Sequence, residues 1–493
     1  VAALSELPRL VVAGLSGESG KTLVSLALLL EARRRGFPVR AFKKGPDYID
    51  ASWLEWASNK PARNLDTFLM GFDRAAGSFA WHGVPAGLNV VEGNRGLFDG
   101  LDARGTHSTA ELAKALQAPT VLVVNATKIT RTAAALVLGC QKLDPAVWIA
   151  AVIINQVAGS RHARVVCDAI EYACRIPVLG VVPRAPAETF LPMRHLGLVT
   201  PYEYAERDLL ERNLLNLVAP HLDFGRLLGI AREAPPVPVP ALPSESPRDG
   251  TNLAIGYLHD GAFCFYYPEN LDALRASGAI LVPVSALSSD VLPPALDALY
   301  IGGGFPETHA RRLSANSSFL ASVRGRAFEG LPVYAECGGL MFLSRAMVWQ
   351  GNRYPMAGVL PLDVEVDATP QGHGYIEMEV DQPNPFFEVG TRLRGHEFHY
   401  SRIVPDGVPP PTACAVVRGT GCFTGRDAVV WHTVWASYAH LHALATPEWA
   451  RGLLRAGAAW AGRRAGAPNP RWSLPAEPSR PEFAQSGPGV RRP

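Results

Sequence analysis

The sequence predicts an α/β protein built of two parallel-sheet domains in series. Three observations carry that reading. Short apolar runs alternate with stretches of helical periodicity along most of the chain, the pattern of strands buried on both faces by helices. A proline-rich stretch over residues 231–250 interrupts the alternation near the middle, and neither a helix nor a central strand tolerates such a run. The alternation then resumes, and 493 residues exceed what one hydrophobic core serves. The expected division is a first domain over 1–230, a linker over 231–250, a second domain over 251–463 and a tail over 464–493. The tail is rich in Pro, Arg, Ser and Gly with few aliphatics, which predicts disorder.

In the first domain, residues 10–13, 88–91, 120–124 and 149–154 read as buried parallel strands, and 22–35 carries apolar residues at helix spacing. After the linker, 253–257, 280–284, 298–301 and 333–335 read as strands, with helices over 270–277 and 319–328. From about Gly358 onward β-branched residues and loops dominate, which predicts an antiparallel extension.

Composition narrows the function classes. The net charge is only +2, so nothing calls for a nucleic-acid or membrane surface. No apolar run approaches the roughly 18 to 20 residues of a membrane span, and the first residues lead directly into a strand, so a cytoplasmic protein is expected. The seven cysteines are irregularly spaced with no C-x-x-C pair, which argues against zinc and disulfide frameworks.

Residues Gly14, Leu15, Ser16, Gly17, Glu18, Ser19, Gly20, Lys21 and Thr22 follow a strand and open a helix. That is the context of a phosphate-binding loop, whose backbone N–H groups surround phosphates. Lys21 would reach the β and γ phosphates of ATP, and Thr22 would hold Mg²⁺. Gly14 lies six residues before Gly20, one more than the standard spacing. The longer loop resembles that of dethiobiotin synthetase-like enzymes, which phosphorylate a carboxylate or carbamate.

Two acidic segments follow. Residues 42–50 read FKKGPDYID, where Gly-Pro forces an exposed turn, and Asp47 and Asp50 offer oxygen ligands for Mg²⁺. Alone, the segment reads equally well as a solvated turn with a helix cap. Residues 91–100 read VEGNRGLFDG. Glu92 and Asp99 stand at the carboxyl end of a parallel strand, where such sheets bind ligands.

In the second domain, Val333, Tyr334, Ala335, Glu336, Cys337, Gly338 and Gly339 form a strand, a sharp turn and a helix start. A nucleophile on such a turn projects free of the sheet. A helix start would lower the thiol pKa, and the Gly338 N–H could face an oxyanion. A lone cysteine in an α/β segment is more often inert core. Two features reverse that: Gly302, Gly303 and Gly304 after the strand ending at Ile301 supply further donors, and His440 lies about a hundred residues past Cys337, where it can act as base. His396, His399 and His432 read as structural.

Together these segments resemble the cobyrinic acid a,c-diamide synthase family, in which a dethiobiotin synthetase-like domain precedes a class I, triad-type glutamine amidotransferase domain. The resemblance covers about 8 to 462 and rests on KKGPDYID, VEGNRGLFDG, STAELAKALQAPTVLVV, RHLGL, FYYPENL, GGGFPE, YAECGGLMFL, GHEFHYS and ASYAHLH. It implies a ligase that amidates carboxylates of a modified tetrapyrrole, using ATP, Mg²⁺ and ammonia from glutamine. Cys337 would be the nucleophile, with His440 as base and Gly303, Gly304 and Gly338 around the glutamine. Lys44, Asp47, Asp50 and Asp99 would serve the synthetase site, with Tyr48 and Ile49 near the tetrapyrrole and Thr22, Asp47 and Glu92 at the metal. Many triad amidotransferases carry His-x-Glu, but here the second residue after His440 is His442, so the acidic partner of His440 is unassigned. ASWLEWAS after the acidic turn, and Asn94-Arg95, resemble relatives that amidate sirohaem alongside dissimilatory sulfite reductase. Cobyrinate, sirohaem and nickel-sirohydrochlorin therefore stay open as substrates, as does a homodimer. Two rival readings stand beside this one: a P-loop regulatory ATPase with a vestigial glutaminase domain, and a synthetase that uses free ammonia.

Overall fold

The computed structural model describes residues 3–186, 190, 193, 194, 197–240, 252–405, 407–423 and 425–465. The first domain holds a seven-stranded sheet. From edge to edge its strands are Arg63–Leu65, Val39–Lys44, Leu88–Glu92, Arg9–Gly14, Thr120–Asn125, Ile149–Val157 and Val178–Pro183, and every neighbouring pair is parallel. Such a sheet must be covered on both sides, and it is. One layer centres on Lys21–Arg34, whose residues Val24 to Leu30 are fully or nearly fully buried. The other packs Phe79, Leu112 and Ile170 against Val11, Val91 and Ile154. The order reverses around Arg9–Gly14, so its carboxyl end opens at a switch point.

The second domain has a ten-stranded sheet. Ile280–Val284, Ala254–Leu258, Ala298–Ile301, Val333–Glu336 and Val434–Ser437 are parallel neighbours in that order. Arg426–Trp431, Thr412–Arg418, Gly372–Val380, Arg392–His399 and His440–Leu441 continue it antiparallel. The last strand, His440–Leu441, follows Val434–Ser437 after only two residues. The antiparallel half must therefore curl round until its far edge meets the parallel half, and this curl returns His440 to the strand that leads into Cys337. A small four-stranded sheet lies alongside.

The stretch expected as a linker behaves differently in its first half. Arg232 still belongs to the helix Phe224–Arg232, and Val237–Val239 pairs antiparallel with Ala3–Ser5. Pro238 fits because this is an edge pairing. Arg9 Nη2 donates to Pro235 O at 2.8 Å and Trp81 Nε1 to Pro240 O at 2.8 Å, so 235–240 is strapped to the first domain. Residues 241–250, His195 and Leu196 of RHLGL, and the tail from 466 lie outside the described residues. Among the described residues, no helix is long and apolar enough to cross a membrane.

The domains meet through buried and half-buried groups. Tyr375 Oη donates to Asp66 Oδ2 at 2.7 Å, Phe68 stacks on Tyr375 at 4.2 Å, and Arg63 reaches Asp272 at 2.7 Å and Glu269 at 3.8 Å.

Candidate functional site

The phosphate loop caps the switch-point strand. Gly20 takes φ 96°, and a Cβ there would fall 2.1 Å from Asn155 Nδ2, so conformation and space both demand glycine. Asn155 Nδ2 donates to Ser19 O at 3.0 Å and holds the loop from the far side. Ser19 Oγ donates to Ser16 O at 2.9 Å. Ser16, Gly17 and Glu18 form the exposed crest, and a Cβ on Gly17 would meet nothing. Lys21 folds back, its Nζ 3.0 Å from Ser16 O. Burial, then Lys43, lowers its pKa. Gly14 O accepts the Leu97 N–H at 2.7 Å, which seats the 94–99 loop against the phosphate loop.

Behind the loop lies a buried charge cluster. Thr22 Oγ1 donates to Glu92 Oε1 at 3.0 Å. Lys43 Nζ bonds Glu92 Oε1 at 2.8 Å, Asp50 Oδ2 at 2.6 Å and Gly93 O at 3.2 Å. Burial works against the Lys43 charge, yet Asp50 and Glu92 raise its pKa overall. Burial also raises the Glu92 carboxyl. Asp50 is lowered despite its burial, because Lys43 holds its charge. Asp47 caps the helix Tyr48–Ser58 by accepting the Asp50 N–H at 2.9 Å. Burial and the neighbouring Asp50 push its pKa up to about 7.

Here the structure departs from the expected roster. Lys43, not Lys44, stands in the cluster. Successive strand residues face opposite sides, and Lys44 has Asp66 and Arg95 as charged neighbours. Asp99 lies at the margin: it is exposed, and its Oδ2 accepts the Gly96 N–H at 2.8 Å within its own turn. Tyr48 and Ile49 face the second domain.

The donors fit Mg²⁺. Thr22, Asp47 and Glu92 offer hard oxygen donors, and Glu92 Oε2 is buried with no hydrogen-bond partner. Among the described residues, no three His, Cys, Asp or Glu side chains form a ready metal cage. Mg²⁺ commonly binds one or two carboxylates and completes its shell with water and phosphate oxygens.

In the second domain, Cys337 follows the strand Val333–Glu336 at φ 48°, ψ −100°, a strained conformation for a residue with a side chain. Its N–H donates to Ser437 O at 2.7 Å. Gly338 and Gly304 lie side by side, since a Cβ on Gly338 would meet Gly304 N at 3.1 Å and Pro306 Cδ at 3.0 Å. Gly303 abuts His440: a Cβ there would fall 2.5 Å from His440 Cε1. The expectation of a lowered thiol pKa fails. Burial, then Glu307, pushes Cys337 up to about 12, and the Gly338 N–H offsets only part of that.

Glu336, the residue before Cys337, is fully buried. Its Oε2 lies 3.7 Å from His440 Nδ1 and accepts from Tyr300 Oη at 3.0 Å, while Oε1 accepts the Leu441 N–H at 3.1 Å. The acidic neighbour of His440 is thus at Glu336. His442 lies 3.5 Å from Glu269. His399 stacks on Tyr438 at 3.6 Å and lines the Cys337 pocket.

A phosphate loop over a buried acidic cluster, joined to a strained cysteine elbow with a buried histidine, defines a nucleotide-binding domain fused to a glutamine amidotransferase. Comparison with known families agrees. Residues 10–199 match the CobQ/CobB/MinD/ParA nucleotide binding domain, and 254–448 match the CobB/CobQ-like glutamine amidotransferase domain. Over 91% of the chain, it is 41% identical to a cobyrinate a,c-diamide synthase of Magnetococcus marinus, covering 97% of that protein. Its counterpart from Syntrophotalea carbinolica is 40% identical over 91% of this chain and 98% of its own. That from Archaeoglobus fulgidus is 38% identical over 91% and 97%. The chain belongs to the cobyrinate a,c-diamide synthase family, and it is an ATP- and glutamine-dependent, amide-forming ligase.

Proposed function

We propose that this ligase amidates peripheral carboxylates of a modified tetrapyrrole of the cobyrinate type, through an acyl phosphate and ammonia from glutamine. The observation that carries the reading is the pairing of the two centres: the charge cluster under the phosphate loop and the Cys337 elbow flank one turn, residues 47–50. The relatives' shared substrate name supports the choice of tetrapyrrole.

At the elbow, Cys337 Sγ attacks the side-chain carbonyl carbon of glutamine. A thiol of pKa about 12 is protonated at neutral pH, so its proton passes to His440 as the bond forms. The Gly304 and Gly338 N–H groups face the oxyanion. Glu336 stabilises the imidazolium across 3.7 Å. His440 returns the proton to the leaving nitrogen, ammonia departs, and water deprotonated by His440 cleaves the thioester to glutamate. At the loop, an oxygen of the tetrapyrrole carboxylate attacks the γ-phosphorus of ATP and ADP leaves. Lys21 neutralises charge on the phosphates, and Thr22, Asp47 and Glu92 would hold Mg²⁺, which would supply further neutralisation. Ammonia then attacks the acyl carbon and phosphate leaves. Lys43 keeps Asp50 and Glu92 in place throughout.

The test offers cobyrinate, sirohaem and nickel-sirohydrochlorin separately, each with ATP, Mg²⁺ and glutamine, and reads products by mass spectrometry. Two amides on cobyrinate are expected. Amidation of sirohaem alone would replace cobyrinate as substrate. Cys337→Ala should abolish the glutamine-driven reaction and keep the ammonium-driven one; glutamine-driven amidation by that variant would remove the cysteine assignment.

A further inference from the structure

The turn 47–50 touches both centres, its outer pair of residues facing one and its inner pair the other. Asp47 and Asp50 belong to the charge cluster beneath the phosphate loop. The two residues between them turn to the other domain. Tyr48 is 8% exposed. Its ring stacks on Phe265 at 5.1 Å with planes 4° apart, packs on Tyr267 at 4.5 Å, and lies against the His440 imidazole at 5.2 Å. Ile49 lines the same pocket as Cys337, with Phe265, Phe305 and Met341.

His440 needs such walls. Its Nδ1 is buried with no hydrogen-bond partner, and 3.7 Å to Glu336 gives attraction without the directional clamp of a hydrogen bond. The plane of the ring must be set by packing. His396 stacks on it at 5.6 Å, Gly303 leaves room at one edge, and Tyr48 closes a further side. Tyr48 comes from the nucleotide-binding domain, so the base is fully walled only when the two domains are seated together.

We propose that Tyr48 is a positioning residue of the glutaminase, fixing the plane of His440, and that Ile49 completes the glutamine pocket, so that occupancy of the phosphate site is felt at Cys337 through the 47–50 turn. This rests on the function proposed above, and it gives both residues a role at the glutaminase. Ligands that fix Asp47 and Asp50 fix Tyr48 with them, since the four residues share one helix start. Misplacement of a catalytic group by about 1 Å can cost on the order of 10²-fold in rate.

The test measures three rates on the full chain: glutamate release from glutamine alone, the same with MgATP and cobyrinate, and amidation driven by ammonium chloride. Tyr48→Ala should lower glutamate-release kcat about tenfold or more, with a smaller change in KM. It should also raise the ratio of ammonium-driven to glutamine-driven amidation by a similar factor. Tyr48→Phe keeps the ring and should restore kcat to within about threefold. Ile49→Ala should act on the glutamine KM. In the wild type, MgATP with cobyrinate should raise glutamate-release kcat/KM about threefold or more, and in Tyr48→Ala it should not. The proposal is overturned if Tyr48→Ala releases glutamate at the wild-type rate while ammonium-driven amidation collapses, which would return the ring to the tetrapyrrole. It is equally overturned if Tyr48→Phe falls as far as Tyr48→Ala, or if substrates leave the wild-type glutaminase unchanged. A wild type without any glutaminase activity would instead remove the proposed function.

Discussion

Glu336→Gln isolates the charge that faces His440. The two side chains are nearly isosteric, and Glu336 is fully buried, so the backbone of the elbow has little reason to move. Gln can still accept the Leu441 N–H that now reaches Oε1 at 3.1 Å, and the Tyr300 hydroxyl can rotate to accept from the new amide. What disappears is the negative charge 3.7 Å from His440 Nδ1. Coulomb's law at an effective dielectric of about 20 puts the attraction to an imidazolium near 4 kcal/mol. Each 1.36 kcal/mol is about a factor of ten in rate, so the ceiling is roughly 10³-fold. The separation exceeds hydrogen-bond length and the amide dipole keeps part of the stabilisation, so a loss of about 10²-fold in kcat for glutamate release is expected. The assay is glutamate release at saturating glutamine, with ammonium-driven amidation as the check on folding. A kcat within about threefold of wild type, with folding intact, refutes the assignment and leaves His440 without an acidic partner.

Three further outcomes follow from the geometry. Gly303→Ala places a Cβ 2.5 Å from His440 Cε1, so the ring must shift and glutamate release should fall on the order of 10²-fold, measured in the same assay. Cys337, pushed up to about 12 by burial, should be alkylated by iodoacetamide at a rate that rises about tenfold per pH unit from pH 7 to 9, because only the thiolate reacts; mass-spectrometric labelling that plateaus near neutral pH would refute this. Lys43→Met leaves Glu92 buried, and Asp50 half-buried, without their cation, and stranding a buried charge typically costs about 3 to 5 kcal/mol, read as a shift in urea unfolding at pH 7.

Much of this arrangement was legible in the sequence, because the signals were local. The phosphate loop, the acidic turn and the cysteine elbow each sit within one strand–turn–helix unit, and their chemistry is written in adjacent residues. What was missed lies across elements. Lys43 and Lys44 look alike in sequence, and only the register that sets Lys43 beside Glu92 separates them. Glu336 was read as part of the elbow alone. Its meeting with His440 needs the antiparallel half of the sheet to curl, and no spacing rule measured forward from the histidine finds an acid about a hundred residues behind it. The family resemblance sets Tyr48 and Ile49 near the tetrapyrrole; their contacts with the second domain arise at an interface that no single-domain pattern encodes. Prolines argue against a helix or a central strand over 231–250, but composition does not reveal that Arg232 closes the helix Phe224–Arg232 or that 237–239 finds an edge partner in Ala3–Ser5.

The raised thiol pKa fits the same economy of parts. A resting thiolate would hydrolyse glutamine whether or not an acyl phosphate waited for the ammonia. Here burial keeps the proton on Cys337, and in the proposed mechanism attack depends on an imidazole whose charge a carboxylate stabilises and whose plane a glycine edge and an aromatic ring help to set. The carboxylate and the glycine come from the glutaminase domain, so they set how fast the base can work. The ring comes from the domain that handles phosphate, so it alone can report when. If that division is right, Glu336→Gln and Gly303→Ala should slow glutamate release by the same factor with and without MgATP and tetrapyrrole, whereas Tyr48→Ala should erase the difference between the two conditions. Equal loss of that difference in all three variants would mean the coupling runs through the base as a whole and not through the turn.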